Sequence, residues 1–201
     1  NGGALTAMSP ATVATGSTPQ AITIDSTGHY AYVVNYGGNT ISQYIIGSTG
    51  ALAPMSPPTV VTGSHPLVIM IAPTEHHAYA VNLYDNTVSQ YTIGSTGALV
   101  PMSPATVATG GSPEAITIDP TERYVYVTNT YVNTVSQYTV GSTGALTAMS
   151  PATVAAEGSP EAITIDPTGH HAYVVNFASM LFGGNTVSQY TIGSGGTLVT
   201  R

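Results

Sequence analysis

An all-β fold, a four-bladed β-propeller built from four-stranded antiparallel blades, is predicted by three observations in this sequence. The tripeptide Gly-Ala-Leu recurs at Gly3, Gly50, Gly97 and Gly144, with a relaxed Gly-Thr-Leu copy at Gly196, so the spacings are 47, 47, 47 and 52 residues. Within each unit, β-branched and aromatic residues alternate with period two between turn residues. No window carries an apolar stripe of helical period. A repeat of roughly 40 to 50 residues holding four short strands has the dimensions of a propeller blade.

The elements are read in order from the third unit. Ala115 to Asp119 is the first strand, and Pro120 to Arg123 a turn that matches Thr-Gly turns in units one and four. Tyr124 to Asn129 is the second strand, and Asn133 to Val140 the third. After the turn Gly141 to Gly144, Ala145 to Met149 is a short outer strand. The units run 3–49, 50–96, 97–143 and 144–195, with a terminal outer strand at 196–201, all in one domain. The last unit is longer because nine positions separate Asn176 from Asn185, where four separate Asn35 from Asn39. That insertion brings Met180, Leu181 and Phe182 to a loop tip.

Tyr126-Val127-Thr128-Asn129 and its variants at Tyr32, Tyr79 and Tyr173 carry a family likeness. With the Ser-Pro-Glu-Ala-Ile-Thr-Ile-Asp-Pro-Thr-Gly pattern before and the Asn-Thr-Val-Ser-Gln-Tyr and Thr-Gly-Ala-Leu patterns after, the chain resembles the YVTN and lactonase-like β-propeller repeat along its whole length. The resemblance implies that strands starting at Ala21, Val68, Ala115 and Ala162 lie innermost. It places Gln20, Leu67, Glu114 and Glu161 near one mouth of the central channel, with Ser17, Ser64, Ser112 and Ser159 nearby. The family is typically seven-bladed, whereas the repeat count here is four.

Composition narrows the chemistry. Charged residues make up 5% of the chain, against about 25% in ordinary soluble proteins, and Arg123 and Arg201 are its only basic side chains besides histidine. Without lysine there is no Schiff base and no P-loop lysine, and a net charge of −7 leaves no basic footprint for nucleic acid. The absence of cysteine excludes disulfides and thiol chemistry. No apolar run reaches the roughly 20 residues of a membrane span. The balance reads as a secreted or cell-surface protein.

Two carboxylates at a channel mouth suit hard-cation binding or acid–base work, while solvated rim residues are the plainer reading. His65 precedes its own Pro66 in the divergent second unit; the other histidines, at 29, 76, 77, 170 and 171, fall in turns where a structural role outweighs a metal site. Tyr44, Tyr91, Tyr138 and Tyr190 recur in register, as do Tyr32, Tyr79, Tyr126 and Tyr173, which reads as packing between blades. Tyr36, Tyr84 and Tyr131 lie in loops, free to meet a sugar or another protein.

Five outer strands for four blades leave one over, and an unpaired apolar strand invites pairing with another molecule. The first functional expectation is therefore a non-enzymatic extracellular protein that self-assembles into a filament, ring or surface layer. Ala4, Leu5, Met8, Leu198 and Val199 would be its strand contacts, and Met180, Leu181 and Phe182 its loop contacts. Its partner would be itself, or a glycan or surface component, with no cofactor, metal or catalytic residue. The alternatives are a lactonase-like hydrolase, with Glu114 or Glu161 at the mouth, and a carbohydrate- or protein-binding propeller.

Overall fold

In the computed structural model, which describes residues 3–177 and 185–200, each unit folds into one antiparallel sheet whose strands lie in chain order. Blade 1 comprises β1 (Pro19–Ile24), β2 (Tyr30–Asn35), β3 (Thr40–Ile46) and β4 (Leu52–Val61). Blade 2 comprises β5 (Pro66–Ile71), β6 (His77–Asn82), β7 (Thr87–Ile93) and β8 (Leu99–Ala108). Blade 3 holds β9 (Pro113–Ile118), β10 (Tyr124–Asn129), β11 (Thr134–Val140) and β12 (Leu146–Ala155). Blade 4 holds β13 (Pro160–Ile165), β14 (His171–Asn176), β15 (Thr186–Ile192) and β16 (Leu198–Thr200). The first strands β1, β5, β9 and β13 pack side by side, which makes them the inner layer of a propeller arrangement. No described helix is long and apolar enough to cross a membrane.

The outer strand is longer than the sequence pattern suggests. In blade 1 it pairs with β3 twice, Leu52 to Pro54 against Tyr44 to Ile46 and Thr59 to Val61 against Thr40 to Ser42, with a register shift between. Ser56 and Pro57, which follow the short outer strand the sequence pattern predicts, thus lie at the kink within one ten-residue strand.

A set of polar contacts, repeated at each junction, joins one blade to the next. The Tyr32, Tyr79 and Tyr126 hydroxyls, all on second strands, donate to the Gly97, Gly144 and Gly196 carbonyls of the following blade. The Gln43, Gln90 and Gln137 amides donate to Pro57, Pro104 and Pro151 in their own blade. Their carbonyls accept from Leu99, Leu146 and Leu198 in the next. In the reverse direction, the third-strand hydroxyls of Tyr91, Tyr138 and Tyr190 donate to Val61, Ala108 and Ala155. Burial pushes the Tyr91 and Tyr138 phenols up to about 12, so both remain donors across the ordinary pH range. Seven of the eight tyrosines that recur in register are the inter-blade core the sequence predicts, Tyr173 on blade 4 being 37% exposed, and each buried one contributes roughly 2 to 3 kcal/mol through burial against about 1 kcal/mol per hydrogen bond.

An aromatic wedge accompanies these contacts. Gly97, Gly144 and Gly196 have positive φ, and a Cβ on each would overlap the ring of Tyr30, His77 or Tyr124 from the preceding blade. Gly144→Ala is expected to destabilise the protein by about 2 to 3 kcal/mol, combining backbone strain with displacement of His77. Gly28→Ala, also at positive φ but with nothing within 4 Å, should lose only about 1 kcal/mol. Urea unfolding of both variants separates the two contributions, and equal losses would show that the wedge is slack.

The two end faces break the pattern. Ile22 and Ile24 on β1 are 60% and 55% exposed, while Ile69 and Ile116 at positions equivalent to Ile22 are 4% and 3%. On blade 4, Val175 and Val187 are 48% and 52% exposed, while Val81 and Val88 are fully buried. The blades are therefore stacked in an arc whose first and last faces are uncovered among the described residues.

The terminal strands depart from expectation. Leu198 to Thr200 pairs with β15 and completes blade 4, and Leu198 is 3% exposed in the core shared by blades 3 and 4, so it is not an assembly contact. Residues 4–8 form no strand, and Leu5 is fully exposed. The segment has the outer-strand sequence but no third strand beside it to supply a ladder. Its continuation does hold the position an outer strand takes against the following blade, since the Tyr44 hydroxyl donates to the Ala14 carbonyl at 2.7 Å, as Tyr91 does to Val61. Strand donation from Ala4, Leu5 and Met8 is accordingly replaced by an unpaired segment laid along blade 1. Met180, Leu181 and Phe182 lie outside the described residues.

Candidate functional site

Each inner strand begins with proline and shifts register one residue later. In blade 1 the irregularity falls between Pro19 and Ala21, in blade 2 between Pro66 and Val68, and in blade 4 between Pro160 and Ala162. In blade 3, Pro113 pairs with Asn129 and Ile116 with Val127, so Thr128 faces two residues, Glu114 and Ala115. Gln20, Leu67, Glu114 and Glu161 are therefore the extra residues of four equivalent β-bulges. Bulges release a residue from the ladder and are frequent beside active sites. The proline explains the location, because it cannot donate to the ladder and is tolerated at a strand start or bulge.

The four bulge residues share one end of the inner layer but differ in surroundings. Gln20 and Glu161 are exposed beside the uncovered end faces, and Leu67 and Glu114 are partly buried. Burial raises the Glu114 carboxyl above its ordinary value, and the negative charge of Glu161 adds to the rise. The two carboxylates thus share one end of the inner layer, close enough for the charge of Glu161 to act on Glu114. Thr128, which replaces valine in the YVxN motif of the neighbouring strand, accepts from the Ala115 amide at 3.0 Å and pins the bulge next to Glu114.

The same end of the blades carries the loops between second and third strands. Asn39, Asn86 and Asn133, each at positive φ, accept from the His65, Ser112 and Ser159 amides of the next blade at 2.8 Å. This bond fixes the lead-in loop of each inner strand. Two of the three loop tyrosines, Tyr36 and Tyr84, converge on His65, whereas Tyr131 is 81% exposed and stands apart from them. Residue spacing does not reveal this convergence, because Tyr36 directly follows the YVxN asparagine and Tyr84 follows one position later. Ser64, one of the serines the family likeness places near the mouth, and Asp85, which the sequence pattern does not single out, complete the cluster: Ser64 Oγ lies 2.8 Å from His65 Nδ1, and the Ser64 amide donates to Asp85 Oδ2 at 2.6 Å.

The remaining histidines belong to the opposite end. His29 Nδ1 lies 2.8 Å from Thr27 Oγ1, and His171 Nδ1 lies 2.8 Å from Asp166 Oδ2, a contact that holds the Asp166 carboxyl well below the carboxylate range. Asp25 and Asp119 cap equivalent turns by accepting from the Tyr30 and Tyr124 amides at 2.6 Å. These aspartates organise turns. Arg123 lies in the same turn as Asp119, its guanidinium 5.4 Å from the Tyr124 ring centre. Among the described residues, no three His, Asp or Glu side chains are grouped as metal ligands.

A family model described as lactonase, 7-bladed beta-propeller, matches residues 1–201. No curated protein sequence matches the chain. Among solved structures, a candidate 6-phosphogluconolactonase of Bacteroides fragilis superposes with a TM-score of 0.78 at 20% identity, over 90% of this chain and 53% of its own. The periplasmic gluconolactonase of Pseudomonas aeruginosa gives 0.78 at 16% identity, over 90% and 52%. A Lactobacillus plantarum protein gives 0.77 at 21% identity, over 91% and 54%. The chain spans about half the length of these structures. The family match and these neighbours overturn the expectation of a non-enzymatic, self-assembling building block, which rested on one surplus strand that forms no strand.

Proposed function

Because the chain belongs to the seven-bladed β-propeller lactonase family, we propose that it supplies four blades of a propeller that hydrolyses a sugar lactone at the channel mouth, with Glu114 as the acid–base group. The observation that carries this reading is the Glu114 bulge, where a carboxyl half-withdrawn from water and facing a second negative charge has its pKa raised. A general base works best when its pKa approaches the working pH, and this shift moves in that direction. The names of the Bacteroides fragilis and Pseudomonas aeruginosa relatives favour a lactone of a sugar acid.

In the ionised state, Glu114 accepts a proton from water as the water oxygen bonds to the lactone carbonyl carbon. The carbon–oxygen bond of the ring then breaks, and the proton held by Glu114 passes to the departing ring oxygen. One water is consumed and one open-chain hydroxy acid is formed. Glu161 acts on this step through its charge, by holding the Glu114 pKa up. The test is acid release from D-glucono-δ-lactone in a pH-stat with the propeller that carries these blades. Release well above the spontaneous rate is expected, and a rate equal to the buffer blank would end the hydrolase reading.

A further inference from the structure

Among the described residues, the junction of blades 1 and 2 carries a ring cluster that the other junctions lack. The His65 ring is stacked on Tyr84, with centroids 4.0 Å apart and planes at 29°, and meets Tyr36 edge-to-face at 4.5 Å and 77°. Tyr36 lies 6.4 Å from Tyr84 at 76°. At the next junction the residues equivalent to Tyr36, His65 and Tyr84 are Leu83, Ser112 and Tyr131, so a single ring remains. The scaffold repeats four times, and among the described residues this platform occurs once. A chiral ligand needs that kind of asymmetry to bind in one orientation.

The chemistry of the cluster is that of a sugar subsite. Tyr84 is 63% exposed, so the ring is backed by His65 yet open to a ligand. Ser64 holds the Nδ1 side of His65, and the His65 amide is held by Asn39, which together fix the imidazole. Asp85 supplies an acceptor at the same loop. A flat ring flanked by a few fixed polar groups matches the C–H face and hydroxyls of a pyranose. Apart from the His65 imidazole, the ionisable acid and base side chains at this end are carboxylates, Asp85, Glu114, Glu157 and Glu161, while the one described arginine, Arg123, belongs to the turns at the other end. The negative field of these carboxylates disfavours a phosphate group here.

We infer that Tyr36, His65 and Tyr84 form a subsite that stacks an uncharged sugar ring and favours an unphosphorylated lactone over its phosphorylated counterpart. The choice of lactone rests on the hydrolase reading above; the stacking of the sugar does not. The test is a titration of the propeller with methyl β-D-glucopyranoside and, in parallel, glucose 6-phosphate at low salt, read through the ring resonances of His65 and Tyr84. Neither probe is a lactone, so binding is measured whether or not turnover exists. The neutral glycoside should move both sets of signals, Tyr84→Ala should weaken its binding on the order of tenfold, and glucose 6-phosphate should bind weaker by a similar factor. Tyr84 is exposed, so its loss leaves the fold intact. Silent ring signals, equal or tighter binding of the phosphate, or unchanged affinity in Tyr84→Ala would each overturn the subsite.

Discussion

Gln90→Ala is expected to lower unfolding stability by about 3 to 5 kcal/mol, a large share of the 5 to 15 kcal/mol typical of a folded domain. The Gln90 side chain is fully buried, accepts from the Leu146 amide at 2.7 Å and donates to the Pro104 carbonyl at 3.1 Å. Truncation leaves a buried amide and a carbonyl without partners, at about 1 to 3 kcal/mol for each orphaned group, and opens a cavity between blades 2 and 3. Gln90→Leu refills most of the volume but not the hydrogen bonds, so it should recover only part of the loss. Gln189 occupies the same position on the uncovered face of blade 4 and is exposed, so Gln189→Ala should change stability by no more than about 0.5 kcal/mol. Chemical denaturation of the three variants distinguishes a clasp from ordinary packing. Equal effects at Gln90 and Gln189 would mean that the glutamine does not join the blades.

Glu114→Gln should reduce lactone turnover by roughly 10² to 10⁴-fold, the usual worth of a positioned acid–base group. The amide keeps the size and most hydrogen-bonding capacity of the carboxyl but cannot accept the proton released when water adds to the carbonyl. Stability should hold or rise slightly, because a carboxylate that burial and Glu161 both disfavour is replaced by a neutral group. That combination, activity lost and fold kept, separates a catalytic role from a structural one. A variant with unchanged kcat and KM would transfer the chemistry away from the bulge.

The blades are legible in the repeat alone, since Tyr32, Tyr79 and Tyr126 recur in register and the structure buries all three between blades. Tyr173 obeys the same pattern yet is 37% exposed, because nothing described covers its side of blade 4. Local sequence states that a residue is suited to an interface and is silent about whether the other half of that interface is present. The leading segment fails for the same reason: Ala4 to Met8 matches the outer-strand pattern, but a strand needs a neighbour, and that neighbour is non-local. Glu114 was placed at the mouth by family likeness, while the bulge that frees it from the ladder depends on pairing register and has no signature in residue types beyond the preceding proline. The ring cluster around His65 was hidden because its two tyrosines sit at different offsets, so aligning the repeats separates what folding brings together.

The measurement that tests the catalytic account most directly is the pH dependence of lactone kcat/KM in the wild-type protein and in Glu161→Gln. Activity requires ionised Glu114, so the rate falls as pH drops through its raised pKa. Removing the negative charge of Glu161 lowers that pKa, so the acidic limb should move to lower pH in the variant while the plateau above it is retained. An acidic limb that stays in place, or moves to higher pH, would show that the group controlling turnover does not feel Glu161 and is not Glu114.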